Sequence, residues 1–558
     1  MDLGGIKNIL FKGRKEAEER EAERQANLIG FPYLNLETSP VETDAIALIP
    51  EPKAREIKSA VIELKGDRAV FVTMNPKDPK VQAQIKELEL KNFKLKIFVV
   101  SQTSLNRAWD FYKYTVKATP ALTGKLDINK ERIEEQIKRL NTLEKTKGAI
   151  EKFDFKNNPT SQVLEIILAG ALAGRASDIH FEPEERAVKL RYRIDGDLND
   201  VMDNLAPNIY GHLVSRIKLL SNLKINIKDE AQDGRFTVSL GSKEIELRVA
   251  VAPSEFGEVI VLRVLDPETI GLELGQLGLR KDDMVIVGEE LERPNGMILN
   301  TGPTGSGKTT TLYAFLKAKR SPDIKIITIE DPIEYHLDGI EQTQVNPDAK
   351  YTFANGLRSI MRQDPDCILI GEIRDKETAE IAIQAALTGH LVFSTVHANE
   401  AAGAIPRLVD LGVKATSIGP ALNLIIAQRL VKRLCEKCKQ KEKIDSETEK
   451  KLKKIIESLP TRVDKKDYPS INVYKAKGCE ACGGTGFKGR VAIYELLKIS
   501  KELEALMIKG GGEIEIQKFA LDQGMVTMQQ DGVLKVISGI TTFEEIKKIT
   551  GPIEDLKI

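Results

Sequence analysis

Short apolar runs alternate with amphipathic stretches along most of this 558-residue chain. In the C-terminal half the runs are almost uninterrupted, as in Ile324 to Ile329, Cys367 to Ile370 and Leu391 to Phe393. Runs of this kind, separated by helical patterns, are typical of a parallel sheet that is covered by helices on both faces. The pattern therefore predicts a multidomain protein of the α/β class.

The pattern changes along the chain, and the changes predict five segments. A mixed-charge run from Lys12 to Arg24 suits either a solvated helix or a helix that docks on a partner. Two groups of short apolar runs follow, separated by a polar stretch rich in Lys and Glu. The segments are a charged helix or tail at 1–28, a small α/β domain at 29–118, a linker at 119–158, a second α/β domain at 159–268 and a third at 269–558.

Composition narrows the class of protein. Apolar residues make up 41% of the chain and charged residues 30%, which describes a folded globular protein. The 83 basic residues balance 83 acidic ones, so the overall charge gives no reason to expect bound nucleic acid. No apolar run reaches the length of a membrane span, and the N-terminus lacks a hydrophobic signal core. We therefore expect a cytoplasmic protein.

A glycine-rich loop lies between an apolar run and a helical pattern in the third domain. Its sequence is Gly302-Pro303-Thr304-Gly305-Ser306-Gly307-Lys308-Thr309-Thr310, in the strand–loop–helix context of a P-loop. The glycines let backbone N–H groups point at phosphate oxygens, beside the positive end of a helix. Lys308 would reach the β- and γ-phosphates, and the Thr309 hydroxyl would take one position on Mg²⁺. The loop therefore predicts a nucleoside triphosphate site.

Polar residues follow each of the buried strand-like runs. Glu330 and Glu334 follow the first, Glu372 the second and His397 the third. Because the carboxyl ends of parallel strands meet at one edge of a sheet, these groups should gather around the triphosphate. We expect Glu372 to hold Mg²⁺ through water, Glu334 (or Glu330 as the alternative) to orient the attacking water, and His397 to contact the γ-phosphate. Considered one at a time, each acid has an ordinary alternative, which is a solvated side chain at the end of a strand. For His397 the alternative is a structural role.

The same cluster bears on the chemistry and on the nucleotide. A gathering of acids beside a P-loop predicts hydrolysis rather than binding alone. The chain contains no Asn-Lys-x-Asp signature of guanine selection, which favours ATP.

Four of the five cysteines form two CxxC pairs, Cys435 with Cys438 and Cys479 with Cys482. Two such pairs supply four thiolates to a tetrahedral Zn²⁺ with no open position, so we expect a structural zinc element at about 431–490. Four free thiols or a redox pair are the alternatives. Cys367 lies in an apolar run and is expected to fill space in the core.

Several stretches of the third domain occur in the order P-loop, Glu330 to Glu334, Asp364 to Asp375 and Thr388 to His397. The preceding domain carries Ala176 to Pro183, Arg191 to Gly196 and Gln232 to Arg235. Together these stretches resemble the secretion ATPase superfamily, whose members drive type II secretion, type IV pilus assembly and retraction, and competence pseudopili. The resemblance covers most of the chain from about Gly30. The N-terminal domain and the tetracysteine insert are similar to the assembly branch, since retraction ATPases usually lack both.

The resemblance implies a RecA-like P-loop core preceded by a PAS-like α/β domain, in a homohexameric ring with ATP between the two. It implies that Arg235, Arg248 and Arg263 reach the phosphates as arginine fingers, with Arg248 and Arg263 the stronger candidates and a surface or interdomain salt bridge as the alternative role. It also implies that an inner-membrane platform protein and a cytoplasmic recruitment protein hold the ring at the inner face of the cytoplasmic membrane, with no nucleic acid bound directly.

The sequence thus predicts a Mg²⁺-dependent ATPase that powers the assembly of type IV pili or of type II secretion or competence pseudopili. One alternative is a retraction or DNA-transfer motor of the same superfamily. The other alternative is a scaffold that binds ATP without hydrolysing it. A scaffold has no need of a complete catalytic set, and the chain has Lys308, Glu334 and Glu372.

Overall fold

The computed structural model divides the chain into two compact units, Met1–Thr123 and Gly124–Ile558. It describes residues 17–36, 41, 43–46, 48–65, 68–90, 93–113, 125–126, 130–153, 160–240, 243–267 and 271–553. Residues 1–16 of the expected charged tail lie outside the described residues, as do parts of the expected linker.

The first unit is a small α/β domain. Its strands are β1 (Ser59–Lys65), β2 (Arg68–Thr73) and β3 (Lys94–Val99), and its helices are α1 (17–29), α2 (Thr43–Ile46), α3 (Glu51–Glu56), α4 (Pro79–Leu90) and α5 (Gln102–Trp109). Strand β2 pairs antiparallel with β1 and parallel with β3. Helix α1 belongs to this unit, because the buried Glu19 accepts hydrogen bonds from the hydroxyls of Ser101 (2.6 Å) and Ser104 (3.0 Å).

The second unit begins with a sheet of seven strands in the order β4-β8-β9-β10-β5-β6-β7. All neighbours in it are antiparallel except β4 and β8. The strands are β4 (Lys125–Leu126), β5 (Ala176–Pro183), β6 (Val188–Ile194), β7 (Asp197–Leu205), β8 (Gln232–Leu240), β9 (Lys243–Ser254) and β10 (Gly257–Leu265). The helices are α6 (Lys130–Arg139), α7 (Leu143–Glu151), α8 (Thr160–Ala173) and α9 (Pro207–Leu220). We call this part the arginine domain, since Arg235, Arg248 and Arg263 lie on its strands.

Helices α6 and α7 occupy the stretch that the sequence analysis took as a linker. Ile133 of α6, Ile150 of α7 and Leu140 between the two helices are buried in the same core as α8. This part of the stretch is therefore packed structure. The domain boundaries proposed from the sequence stay predictions.

The rest of the second unit, here called the nucleotide domain, is built on another seven-stranded sheet, with the order β13-β12-β14-β15-β11-β16-β19. The strands are β11 (Gly296–Thr301), β12 (Ile326–Glu330), β13 (Glu341–Gln344), β14 (Cys367–Ile370), β15 (Leu391–Val396), β16 (Leu422–Leu434), β17 (Gln440–Lys441), β18 (Tyr474–Lys475) and β19 (Phe487–Lys498). The helices are α10 (Lys281–Leu291), α11 (Lys308–Lys319), α12 (Phe353–Ile360), α13 (Lys376–Leu387), α14 (Ala404–Asp410), α15 (Ala415–Ala421), α16 (Ser446–Ser458), α17 (Lys501–Ile508), α18 (Glu513–Asp522), α19 (Met528–Ile537) and α20 (Phe543–Thr550).

Both faces of this sheet are covered, as the apolar runs predict. Met297 and Leu299 of β11 belong to one hydrophobic core, and Ile298 between them belongs to another on the opposite face. Cys367 is fully buried in the second core, as expected for a residue that fills space. The strands of the three predicted apolar runs, β12, β14 and β15, pair in parallel as expected. Strand β19 pairs antiparallel with β16, so the sheet as a whole is mixed. Among the described helices, none combines the length and hydropathy needed to cross a membrane.

Candidate nucleotide and metal sites

The P-loop connects the end of β11 at Thr301 to the start of α11 at Lys308. Gly302 has φ +151° and Gly307 has φ +89°, which L residues with side chains rarely adopt. A Cβ on Gly302 would lie 2.6 Å from the carbonyl oxygen of Gln428 in β16. Glycine is therefore required at Gly302 both by the turn and by the close approach of the neighbouring strand.

The loop presents polar groups that fit a polyphosphate. The Oγ of Ser306 is buried and has no hydrogen-bond partner among the described residues. The Nζ of Lys308 turns back onto the loop and donates to the carbonyl oxygens of Gly302 (2.7 Å) and Pro303 (3.1 Å). Burial lowers the pKa of Lys308, and the negative charge of Glu372 acts in the opposite direction. A phosphate would give Ser306 Oγ a partner and would offer the Lys308 ammonium an anionic acceptor in place of two carbonyl oxygens, so the residues fit the nucleotide that the sequence predicts.

The strand order brings four carboxyl ends to one edge of the sheet. In space, β11 is followed by β15, β14 and β12. The end of β15 is fixed to β11, because Thr301 Oγ1 donates to the carbonyl of Ala398 (2.9 Å) and accepts from its N–H (2.8 Å). The end of β14 is fixed to β15 by the hydroxyl of Thr395, which donates to the carbonyl of Gly371 at 2.8 Å. The residues that follow these strands therefore face the same side as the P-loop.

Glu372 and His397 lie together at this edge. His397 Nε2 is 3.6 Å from Glu372 Oε2, and Arg374 also pairs with the Glu372 carboxylate. Glu372 is 14% exposed, whereas His397 is 50% exposed. The structure thus brings together Lys308, Glu372 and His397, three of the groups that the sequence predicts around the phosphates.

Glu334 lies at the same edge but farther along it. It follows β12, three strand positions from β11, which is about 14 Å at the usual strand spacing. Its carboxylate Oε2 accepts from Arg248 Nη1 at 2.8 Å, and Arg248 Nη2 donates to the carbonyl of Ile333. The structure therefore pairs the proposed base with one of the proposed arginine fingers.

Glu330, the alternative base, is engaged inside the nucleotide domain. Its Oε1 accepts from Thr328 Oγ1 (2.6 Å) and Gln342 Nε2 (3.2 Å), and its Oε2 accepts from the hydroxyl of Tyr313. Burial raises the pKa of Glu330, while these hydrogen bonds act to lower it. A carboxylate held on both oxygens is poorly placed to orient water, so the contacts favour Glu334 for that role.

The three proposed arginines form a row across neighbouring strands of the arginine domain. Arg235 of β8 lies opposite Arg248 of β9, which lies opposite Arg263 of β10. Directly opposed residues point to the same face of a sheet. Arg248 contacts Glu334 of the nucleotide domain, whereas Arg235 and Arg263 are mostly exposed.

A cavity of about 240 Å³ opens beside the P-loop, between the two domains. One wall is the turn between β6 and β7, where Asp197 binds Lys432 (2.6 Å) and Lys548 (2.8 Å) of the nucleotide domain. Asp195 of the same turn accepts from the N–H of Gly489 at 3.0 Å. Sequence reasoning missed these contacts. Arg191 to Gly196 stands out only as a family string, which gives no partner for Asp195.

The four cysteines meet at the far end of the β16–β19 pair. Leu434 lies opposite Phe487 at that end, which places the first CxxC after β16 next to the second CxxC before β19. The four sulfur atoms all lie within 4.8 Å of one another. Three of their separations are 4.0 Å (Cys435–Cys479), 3.8 Å (Cys438–Cys482) and 3.8 Å (Cys479–Cys482). A tetrahedral zinc with Zn–S bonds of about 2.3 Å has sulfur–sulfur edges of about 3.8 Å, so the donor set fits that metal.

The cysteine cluster also receives backbone hydrogen bonds. Burial would raise the pKa of Cys482, but the N–H groups of Cys479 (3.1 Å) and Gly486 (3.2 Å), together with the neighbouring thiols of Cys479 and Cys438, act against it and bring the pKa to about 7. Donors of this kind stabilise the thiolate, which is the form that binds a metal.

A P-loop at the carboxyl edge of a mixed α/β sheet, with an acid and a histidine at the neighbouring strand ends, defines a P-loop nucleoside triphosphatase. The family model described as "Type II/IV secretion system protein" matches residues 154–548. The chain belongs to this family. The resemblance to the secretion ATPases stated in the sequence analysis is confirmed.

Several curated relatives align with the chain. It is 36% identical over 547 residues to "Type IV pilus assembly ATPase PilB" of Thermus thermophilus, a match that covers 97% of this chain but only 59% of that protein. It is 36% identical over 552 residues to the protein of the same name from Myxococcus xanthus, covering 98% of this chain and 94% of the relative. It is 42% identical over 393 residues to "Type II secretion system protein E" of Pectobacterium carotovorum, covering 70% of this chain and 76% of the relative.

A solved structure shares the fold. The X-ray structure of the Legionella pneumophila ATPase DotB aligns with a TM-score of 0.51 and 23% identity, covering 71% of this chain and 97% of that chain. At this identity the likeness concerns the fold alone.

Proposed function

We propose that this chain is the ATPase of a motor that powers the assembly of type IV pili or of the pseudopili of type II secretion or competence. The observation that carries the proposal is the meeting of Lys308, Glu372 and His397 beside the P-loop, in a member of the secretion protein family. The pilus assembly relatives align with 97% and 98% of the chain, whereas the type II secretion relative aligns with 70%. This difference favours the pilus.

The residues divide the work of ATP hydrolysis among them. The P-loop N–H groups and Lys308 bind the phosphates, and Thr309 and Glu372 would hold Mg²⁺, which neutralises phosphate charge when bound. Glu334 orients the attacking water, and His397 contacts the γ-phosphate. Because Glu334 is paired with Arg248 in the structure, that ion pair has to open before Glu334 acts on water. Arg248 and Arg263, and in a lesser role Arg235, then turn to the phosphates.

The proposal extends to the assembly of the motor. The nucleotide domain is RecA-like, the arginine domain is PAS-like, and six copies form a ring in which hydrolysis changes the angle between these domains. The ring lies in the cytoplasm at the inner face of the cytoplasmic membrane. There it contacts a platform protein and a recruitment protein, and it binds no nucleic acid directly. Cys435, Cys438, Cys479 and Cys482 would hold a structural Zn²⁺, which would tie the end of β16 to the start of β19.

Two other functions compete with this one. A retraction or DNA-transfer motor would use the same nucleotide chemistry, but the N-terminal α/β domain and the cysteine cluster resemble the assembly branch. An ATP-binding scaffold has no need of Glu372 and His397 beside Lys308.

Deletion and complementation in the source organism test the proposal. Cells without the gene should lose surface fibres or secreted proteins, and Lys308→Ala should fail to restore them, while Lys509→Ala, at an exposed lysine of the same domain, should restore them. An excess of fibres after deletion would indicate a retraction motor instead. Full restoration by Lys308→Ala would indicate a scaffold.

A further inference from the structure

Asp178 lies next to the row of arginines on the arginine domain. On β5 it is opposite Arg263 of β10 on one side and Arg193 of β6 on the other. Its Oδ1 accepts from Arg263 Nε at 3.2 Å. Its Oδ2 accepts from Ser177 Oγ at 2.8 Å and lies 3.6 Å from Arg193 Nε. One carboxylate is thus shared between two arginines on neighbouring strands.

Asp178 and Arg263 differ in exposure. The side chain of Asp178 is 11% exposed, whereas that of Arg263 is 57% exposed. An exposed arginine samples many rotamers, and a fixed carboxylate beside it reduces that freedom. The bond engages the Nε–H of Arg263 and does not use the Nη donors, which are the groups that grip phosphate. Asp178 therefore orients the guanidinium without taking over its anion-binding side.

Arg193 connects Asp178 to the boundary with the nucleotide domain. Its Nη1 donates to the carbonyl of Gly196 at 2.9 Å, in the turn between β6 and β7. Asp197 of that turn binds Lys432 and Lys548 of the nucleotide domain. A continuous series of polar contacts therefore runs from the nucleotide domain through the turn and Arg193 to Asp178 and Arg263.

We infer that Asp178 is a positioning residue for ATP hydrolysis, which fixes the orientation of the Arg263 guanidinium and ties that orientation to the turn at Gly196 that meets the nucleotide domain. The inference rests on the proposed function. The competing explanation is a salt bridge that only stabilises the arginine domain. The two differ in one respect: a positioning residue acts through Arg263, whereas a structural residue acts whether or not Arg263 is present.

The test compares Asp178→Asn in the full-length protein with Arg263→Ala and with the double variant. Asp178→Asn should lower kcat by about tenfold, as expected when a catalytic group is misoriented, with KM changed by less than about threefold. Asp178→Glu, which keeps the charge, should recover part of the loss. Asp203→Asn is the matched control, since Asp203 is an exposed carboxylate of the same domain, and it should leave kcat and KM unchanged.

The double variant decides the inference. In the Arg263→Ala background, Asp178→Asn should change kcat by less than about twofold, because coupled residues are not additive. The same tenfold loss in both backgrounds, or an unchanged kcat in the wild-type background, would overturn the inference. A drop in melting temperature with kcat falling equally in both backgrounds would assign Asp178 to stability alone. Lys308→Ala tests the proposed function independently of this inference. It should abolish ATP turnover whether or not Asp178 positions Arg263.

Discussion

The contact between Arg248 and Glu334 joins a proposed arginine finger to the proposed base, and it gives the sharpest prediction. Arg248→Ala removes the guanidinium that bonds to Glu334 at 2.8 Å and to the carbonyl of Ile333. If Arg248 served only as a partner of Glu334, its removal would free the carboxylate and leave turnover unchanged or higher. If Arg248 stabilises the transition state, turnover should fall by about 10³-fold or more.

The ion pair itself should contribute measurably to stability. The side chains of Arg248 and Glu334 are 22% and 29% exposed, so solvent screens the pair only in part. Two unit charges at this separation interact by about 6 kcal/mol at an effective dielectric of 20, before desolvation is subtracted. The net value expected for a hydrogen bond between charged groups is about 1.5–3 kcal/mol.

Two assays check these values. Phosphate release by Arg248→Ala, Arg248→Lys and wild type measures the catalytic role, and the lysine variant should fall between the other two because it keeps the charge but loses the fork of donors. Denaturant melts of wild type, Arg248→Ala, Glu334→Ala and the double variant measure the coupling energy. A coupling within about 0.5 kcal/mol of zero, together with unchanged turnover in Arg248→Ala, would refute both the contact and the role.

Three further predictions concern the metal, the loop and the core. Metal analysis should find about one zinc per chain and less in Cys479→Ser, as expected for a four-thiolate site; a metal-free wild type of full stability would contradict this. Gly302→Ala should weaken ATP binding, measured by titration calorimetry, more than Gly305→Ala does. Both positions have a positive φ that strains an alanine, but only a Cβ at Gly302 meets the Gln428 carbonyl oxygen at 2.6 Å, whereas one at Gly305 meets nothing within 4 Å. Equal losses in the two variants would remove this explanation. Phe393→Ala should lower the free energy of unfolding by about 3–5 kcal/mol, since the ring is fully buried, and denaturant melts showing a loss below about 1 kcal/mol would contradict the packing.

The clustering of Glu372 and His397 near Lys308 could be predicted because it follows from the parallel arrangement of the strands. Apolar runs identify β11, β12, β14 and β15, and parallel strands share one carboxyl edge, so Glu372 and His397 had to lie on the side of Lys308. The cysteine cluster was predictable for a similar reason, because two CxxC pairs have few other uses. Both predictions need only local pattern and a general rule.

The contacts between domains could not be predicted in this way. Arg248 and Glu334 are separated by 85 intervening residues, and their meeting depends on how the arginine domain lies on the nucleotide domain, which no periodicity encodes. The antiparallel pairing of β19 with β16 was not predicted, because nothing in the sequence of the long polar insert between them indicates that the chain returns to the edge of the sheet. The packing of α6 and α7 was missed because a polar composition describes the solvent face of these helices and not the face that carries Ile133 and Ile150.

The most direct test of the central claim is Mg²⁺-dependent phosphate release by wild type and Glu372→Gln, with ATP binding measured in parallel. Glu372 lies 3.6 Å from His397, and its charge acts on Lys308 in the P-loop. We predict that wild type hydrolyses ATP only with Mg²⁺, and that Glu372→Gln binds ATP but releases phosphate at least about 10²-fold more slowly. Hydrolysis by Glu372→Gln at the wild-type rate, or no Mg²⁺-dependent hydrolysis by wild type, would contradict the account.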